Sequence, residues 1–198
     1  MKKYLSILMI LTILLVGCST TDSSSNSDDS LKGEYLELVK QVEEFNHQYG
    51  GNYALPLSPD YPILHVYLAN PPLETMSPDM VIHYGLSKEE LRPHFQDEAF
   101  IKSYEESTGR IIYGYYEGDM IAELSYYPQK HGEVSSKDVW VIDGRDIPYK
   151  VMNVEGEKLI ITGINLEKGG YRIEYHISDL FGEDEAKELT RFFLKEIN

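Results

Sequence analysis

Cysteine, long apolar runs and basic charge are all scarce in this sequence. The single cysteine, Cys18, excludes an intramolecular disulfide, so any folded part must be held together by its core. The longest apolar stretch, residues 5–16, is shorter than the ~20 residues needed to cross a bilayer. With 18 Lys and Arg against 33 Asp and Glu, the formal net charge is −15. Such a surface repels phosphate groups, which argues against a nucleic-acid partner and means that membrane association needs an anchor.

Motifs of catalysis and cofactor binding are absent as well. The chain contains no G-x-S-x-G, S-x-x-K, H-E-x-x-H, G-x-x-x-x-G-K or G-x-G-x-x-G pattern. No two histidines have the spacing of a metal-binding pair; they are His47, His65, His83, His94, His131 and His176. We interpret them as surface or half-buried side chains, and expect His131, in a predicted loop, to be the most exposed. The sequence therefore predicts no enzyme, no cofactor and no metal site.

Adjacent carboxylates are the remaining candidates for acid–base chemistry. A glycosidase needs two carboxyl groups roughly 5–9.5 Å apart across a cleft. A chain with 33 acidic residues contains adjacent pairs by chance, so we expect these to lie on solvated faces of helices or strands. Such pairs include Glu43-Glu44, Glu89-Glu90 and Glu105-Glu106, and there is a run of three at 183–185.

The N-terminus has the three-part order of an export signal. A positively charged start, Met1-Lys2-Lys3, precedes the apolar stretch 5–16, and Leu15-Val16-Gly17-Cys18 ends the segment. This order resembles the lipobox of bacterial lipoproteins. The resemblance implies cleavage before Cys18, a diacylglyceryl thioether on Cys18, and a location on the extracytoplasmic face of the cell membrane. An uncleaved anchor helix, or an ordinary secretory signal with a chance cysteine, remains an alternative.

Residues 19–30 contain no apolar side chain that could enter a core. Their composition predicts a flexible, solvated tether with a root-mean-square reach of roughly 17–21 Å. The predicted organisation is therefore a signal peptide at 1–17, a lipidated cysteine and tether at 18–30, and one globular domain at 31–198.

The first half of the predicted domain begins with a helix and continues through a proline-rich passage. Apolar residues at helical spacing predict a helix over 31–49, which Ser30 can cap and Gly50-Gly51 ends. A strand is predicted at 63–68. Ser77-Pro78 then predicts a short helix that ends near Gly85, and the capping-box pair Ser87 and Glu90 predicts another that ends at Pro93.

The second half shows strand patterning, followed by one more helix. Turn signals such as Asp143-Gly144 and Lys168-Gly169-Gly170 separate short apolar runs, which leaves no room for helical crossovers and predicts an antiparallel meander. The final helix is predicted over 183–197. The predicted fold class is α+β, with the meander sheet flanked by an N-terminal and a C-terminal helix. The predicted strands are 99–105, 110–116, 120–127, 138–142, 147–154, 158–165 and 171–177.

A second resemblance covers the stretch 114–197. It contains I-D-G-R-D-I-P-Y at 142–149, G-G-Y-R-I-E-Y at 169–175, and a helix that begins E-D-E-A. These features resemble a C-terminal domain of unknown function that recurs in Gram-positive lipoproteins and in the outer parts of anti-sigma factors. The resemblance implies a fold and a cellular address, and no catalytic residues.

Three functions are compatible with these observations. The first is a non-enzymatic module that binds a protein, peptide or other envelope component; the second is a carrier with an apolar cavity for a lipid or small hydrophobic ligand. The third, an envelope hydrolase, lacks motifs. The 16 tyrosines either fill half-buried sheet positions or form a contact surface. The alternation in 171–177 leaves Arg172, Glu174 and His176 on one polar face. If this strand lies at the sheet edge, it could accept an extended peptide; the alternative is that the C-terminal helix or an earlier strand covers that edge.

The lipid anchor can be tested directly. Cys18→Ala removes the thiol that would carry the lipid, so we expect the variant to lose acylation and to be left unanchored or unprocessed. Labelling of cells with a palmitate analogue, followed by membrane fractionation, measures both effects against the unmodified chain. Equal labelling and equal membrane retention of the variant would contradict the lipoprotein assignment.

Overall fold

The computed structural model describes residues 31–73, 75–129, 132 and 134–197. The predicted leader and tether, including Cys18 and Ser30, lie outside these residues, as does His131. The helices are α1 (Leu36–Tyr49), α2 (Glu98–Ser107) and α3 (Glu183–Ile197), and a 3-10 helix spans Pro93–Gln96. The strands are β1 (Ile63–Ala69), β2 (Asp79–Gly85), β3 (Gly109–Tyr113), β4 (Met120–Tyr127), β5 (Val139–Ile142), β6 (Arg145–Val154), β7 (Glu157–Asn165) and β8 (Gly170–Ile177).

The strands form one eight-stranded sheet in the order β3-β1-β2-β4-β8-β7-β6-β5. Every neighbouring pair runs antiparallel. Strands β5 to β8 follow one another as a meander, whereas β3 and β4 add to opposite sides of the β1–β2 hairpin. The predicted α+β class, an antiparallel sheet with an N-terminal and a C-terminal helix, is confirmed.

Local sequence signals account for several of these boundaries. Gly50 ends α1 in the left-handed conformation, with φ 60°, and its N–H donates to Asn46 O. Asp143 and Gly144 both have positive φ, 50° and 78°, as the tight turn between β5 and β6 requires. The predicted C-terminal end of the first helix and the predicted turn at Asp143-Gly144 are therefore confirmed.

Helices α1 and α3 cover one face of the sheet and form the core with it. Alternate side chains of the strands point toward the helices; Ile82, Leu124 and Ile173 are completely buried there. The helical side of this core consists of Leu38, Val42 and Phe45 from α1 and Ala186, Leu189, Phe193 and Ile197 from α3.

Tyrosine supplies much of the volume of this core. Six tyrosines are buried: Tyr35, Tyr53, Tyr84, Tyr126, Tyr171 and Tyr175. Burial raises the pKa of Tyr84 and Tyr171, so their hydroxyl groups remain protonated donors. Among the described residues, no tyrosine is fully exposed, because the other tyrosines are half-buried. Structural packing therefore accounts for most of the tyrosine content, and a tyrosine contact surface does not.

The buried hydroxyl groups hold an irregular segment, residues 51–62, against the sheet. This segment has no regular secondary structure, so its backbone polar groups need partners from elsewhere. Tyrosine side chains provide them: Tyr171 Oη donates to Asn52 O (2.8 Å) and accepts from Ala54 N (2.7 Å), Tyr84 Oη donates to Pro56 O (2.8 Å), and Tyr126 Oη accepts from Asn52 N (2.9 Å).

The strand predicted at 99–105 is wrong, because these residues lie in α2. Asp97 caps the helix, and its carboxylate accepts a hydrogen bond from Ala99 N at 2.8 Å. Tyr104 lies one helical turn after Phe100 and Ile101, so these aromatic and branched side chains fit one side of a helix as well as a strand. The cap decides between the two.

Two short helices predicted between residues 77 and 93 are also wrong. Residues 79–85 form β2, which lies between β1 and β4 and is held by backbone hydrogen bonds from both sides. Residues 87–92 form no helix, and Leu91 pairs with Tyr116. Pairing with distant strands outweighs the local capping signals, and the proline at 93 begins a 3-10 helix instead of ending a helix.

The strand 171–177 is central, so the hypothesis that it offers a free edge to a peptide is wrong and the alternative, coverage by earlier strands, holds. β8 pairs with β4 on one side and with β7 on the other, so it has no free edge for a peptide. The prediction that the Leu159–Ile161 stretch is buried on both faces is confirmed, because Leu159, Ile160 and Ile161 are 7%, 0% and 6% exposed.

Among the described residues, no helix has both the length and the apolar character needed to cross a bilayer.

Tyr171→Phe tests the hydroxyl contacts of the 51–62 segment. The substitution keeps the ring but leaves Asn52 O and Ala54 N without their partner, and each such group costs about 1–3 kcal/mol. We expect the free energy of unfolding to fall by about 2–4 kcal/mol in a urea titration. Tyr49→Phe, at a half-buried ring on α1, is the matched control and should change it by less than about 0.5 kcal/mol. Equal effects of the two substitutions would contradict this role of Tyr171.

Candidate functional site

Ionisable side chains collect on the face of the sheet that α1 and α3 leave uncovered. We call this surface the polar face and define it by His83 on β2, Glu123 on β4, and Arg172, Glu174 and His176 on β8. The strand register places them together, because Glu123 lies opposite both His83 and Glu174. Three of the five were predicted to share an exposed face, and the structure confirms that Arg172 is exposed and that Glu174 and His176 are half-buried.

His83 and Glu123 form the more protected half of the polar face. The side chain of His83 is 14% exposed, and its Nε2 lies 3.3 Å from Glu123 Oε2. The His83 imidazole lowers the pKa of Glu123; the Ser125 hydroxyl, which donates to Glu123 Oε1 at 2.9 Å, acts in the same direction. Glu123 is therefore a carboxylate at neutral pH, and its outer side remains open to solvent.

Arg172, Glu174 and His176 form the more exposed half. Arg172 Nη2 lies 3.8 Å from Glu174 Oε2, and His176 Nδ1 lies 3.6 Å from Glu157 Oε2. Their partly exposed, loosely paired groups can exchange these contacts for contacts with another molecule at small cost. The polar face thus presents both signs of charge on rigid, central strands.

An aromatic cluster covers the neighbouring part of this face, over β1 to β3. We call it the His65 cluster: His65, Tyr67, Phe95, Tyr104 and Tyr115. The His65 ring centroid lies 4.1 Å from that of Tyr115 and 5.2 Å from that of Tyr67. Phe95 stacks on Tyr115 with a centroid distance of 4.3 Å. The 3-10 helix carries Phe95 and α2 carries Tyr104, so these two short elements cover the cluster.

His65 is completely buried in this cluster. Its Nδ1 lies 3.0 Å from Tyr113 O, and since a carbonyl only accepts, Nδ1 carries the proton. Desolvation, and to a smaller degree the neighbouring His83, lowers the pKa of His65 to about 4. His65 is therefore neutral at pH 7. The expectation of surface or half-buried histidines is wrong for this residue, because its burial depends on packing by α2, which the sequence pattern did not reveal.

The described residues contain no group of three or more His, Cys, Asp or Glu arranged to hold a metal ion. The adjacent carboxylates lie mostly on exposed positions of helices and loops, as predicted. Glu105 is an exception, since its Oε1 accepts a hydrogen bond from Ile111 N at 3.0 Å and so has a structural contact. The residues of the candidate site that the sequence missed, His83 and Glu123, join it only through the register of strands that are distant along the chain.

Comparisons with known proteins do not extend this description. No family model matches the chain, no curated protein matches it, and no solved structure matches its fold.

The buried His65 predicts a pH dependence of stability. Its pKa is lower in the folded chain, about 4, than the ordinary 6.5, so the unfolded chain binds more protons between these values. Stability should be fully present above pH 6.5 and fall as the pH is lowered toward 4, by up to about 1.4 kcal/mol per pH unit. His65→Phe, which keeps an aromatic ring against Tyr115, should reduce this slope.

Urea titrations at several pH values between 7 and 4 measure the slope. The substitution His47→Gln, at an exposed position in the last turn of α1, is the control and should leave the slope unchanged. A slope that His65→Phe does not alter would mean that other groups cause the acid destabilisation.

Proposed function

We propose that this chain is a lipid-anchored, non-catalytic binding module on the extracytoplasmic face of the cell membrane, and that its polar face binds a protein partner in the envelope. The anchor is Cys18 and the spacer is the tether 18–30. The proposal rests on one observation. Acidic and basic side chains lie together, partly exposed, on central strands, next to the closed His65 cluster. A rigid surface of this kind suits a macromolecular partner with complementary charges.

The chemistry of the polar face favours binding over catalysis. His83 and Glu123 are adjacent, but the ring of His65 next to them is completely buried, and Ser125, whose hydroxyl donates to Glu123, is only 2% exposed. A general acid or base works on a substrate held in a pocket. The polar face instead extends over three neighbouring strands, β2, β4 and β8, where a broad contact is the natural use.

The packed interior favours the binding module over a carrier. A carrier needs an apolar cavity between the sheet and its helices, and this space is occupied by side chains such as Tyr84, Tyr175 and Phe193, each completely buried. The described depressions lie elsewhere; a 370 Å³ groove lies beside α1, and one of 560 Å³ lies at the ends of β4 and β8.

The proposal can be tested with a site-specific photo-crosslinker in the intact envelope. A photoreactive residue at Glu174 should give a discrete crosslinked species. The same residue at Glu188, on the solvent side of α3, is the matched control and should not give it. Arg172→Glu added to the first variant should lower the yield about tenfold, since loss of a charge contact of ~1.4 kcal/mol corresponds to that factor.

Lys187→Glu on α3 makes the same change of charge away from the polar face and should leave the yield unchanged. A species that appears equally from both crosslinker positions, or that does not respond to Arg172→Glu, would contradict the proposal. A species that contains only a second copy of this chain would contradict it as well.

A further inference from the structure

The 3-10 helix and α2 lie over the His65 cluster without being part of the core. We call residues 93–107 the cover. None of them is buried; even Phe95 and Tyr104, which face the cluster, are only half-buried. His65 beneath them is completely buried. An element that buries another residue but none of its own can open at a lower free energy than the whole domain.

The cover is fixed to the sheet by hydrogen bonds at its C-terminal end. Asn70 Nδ2 donates to Glu105 O at 3.1 Å, and Glu105 Oε1 accepts from Ile111 N at 3.0 Å. Just beyond the cover, Thr108 O accepts from Asn70 N at 3.1 Å. These bonds make the C-terminal end a hinge about which the rest of the cover can move.

The rest of the cover, residues 93–104, is held by side-chain packing, chiefly of aromatic rings. Within the described ranges, no hydrogen bond joins these residues to a strand of the sheet. The ring centroids of Phe95 and Tyr104 each lie 6.2 Å from that of His65, and Phe95 also stacks on Tyr115. When these rings part, no backbone group of the sheet loses a partner.

His65 can carry one proton in the closed cluster but not a second one. Its Nδ1 already donates to Tyr113 O, whereas its Nε2 is buried and has no hydrogen-bond partner among the described residues. A proton on Nε2 creates a buried imidazolium whose new N–H has no acceptor. Both the buried charge and the unpaired donor are costly, so the closed cluster disfavours this protonation.

The groups around His65 do not compensate for such a charge. The titratable and charged groups that face it from β1, from β2, from the cover and from the segments next to the cover and to β3 are Tyr67, His83, Tyr104, Arg92 and Tyr115. The three phenols are uncharged in acid. His83 and Arg92 both oppose a positive charge on His65, and Glu123 on β4 pairs with His83 instead.

We propose that the cover opens in acid: protonation of His65 releases residues 93–104, which swing about the C-terminal hinge and expose the His65 cluster. The open state gives the imidazolium access to water, so acid favours the open state over the closed one. Opening also enlarges the polar face, because the cluster lies directly beside His83. The cover opens in this way whether or not the polar face binds a partner.

The size of the effect follows from the proton affinities of the two states. The closed cluster lowers the pKa of His65 to about 4, and water in the open state returns it toward the ordinary 6.5. The ratio of open to closed molecules then rises about twentyfold between pH 7 and pH 5. Once detached, the ten residues of α2 are too few to remain helical in water, so opening breaks their hydrogen bonds.

Hydrogen exchange of the full-length chain in a mild detergent, read by mass spectrometry, tests this opening. Peptides from residues 98–107 report on α2, and peptides from residues 186–197 report on α3. After correction for the intrinsic effect of pH, we expect the protection of α2 to fall about twentyfold between pH 7 and pH 5. Opening of the cover exposes little surface, so low urea at pH 5 should speed the exchange of α3 but hardly that of α2.

Substitutions connect the opening to His65. His65→Phe keeps a ring in the cluster but cannot take up a proton, so it should abolish the fall in α2 protection. His65→Gln, which can still donate to Tyr113 O, serves the same purpose if the first variant does not fold. His94→Gln removes an exposed histidine from the cover itself; it is the matched control and should keep the twentyfold fall.

Three outcomes would overturn the proposal. In the first, the protection of α2 changes less than about threefold between pH 7 and pH 5. In the second, α2 and α3 respond equally to urea at pH 5, which means that the whole domain unfolds instead of the cover alone. In the third, the uncharged variants of His65 retain the full pH effect. The first two are measured on the unmodified chain, so they stand even if no variant folds.

Discussion

The contact between buried tyrosine hydroxyls and the backbone of residues 51–62 is the constraint on which this architecture depends. That segment joins α1 to the first strand and has no ladder of its own, so burying it without partners would leave several polar groups unpaired. Tyr84, Tyr126 and Tyr171 reach it from three adjacent strands, β2, β4 and β8. A phenylalanine core of the same volume could pack against α3, but it could not hold this segment.

Because tyrosine fills one face of the sheet, the two faces differ in what they can contact. The face toward α1 and α3 is filled and hydrogen-bonded, which leaves little freedom for a ligand. The other face is divided between the His65 cluster, where aromatic rings exclude water from an imidazole, and the polar face, where charged groups remain accessible. His83 lies at the boundary, 5.6 Å from the His65 ring and 3.3 Å from Glu123. Any partner of the polar face therefore contacts a surface that is backed by the packed core on the other side of the sheet.

The two edge strands of the sheet, β3 and β5, also differ from each other. The β3 edge is covered by α2, which supplies both Tyr104 to the His65 cluster and Glu105 to the edge backbone. β5 is four residues long, so its open edge is short. A short edge limits indiscriminate pairing with other strands. The polar face and the β5 edge are thus separate surfaces.

The sequence by itself determined the features that depend on neighbouring residues. These are the α+β class, helices α1 and α3, the turn at Asp143-Gly144, and the alternation that makes Arg172, Glu174 and His176 one polar face. Tertiary structure decided what depends on residues far apart in the chain: residues 79–85 became a strand because two partners flank them, and β8 became central because β4 returns beside it. His83 and Glu123 escaped prediction for the same reason. Periodicity reports which side chains share a face, but only the order of the strands decides which faces become neighbours.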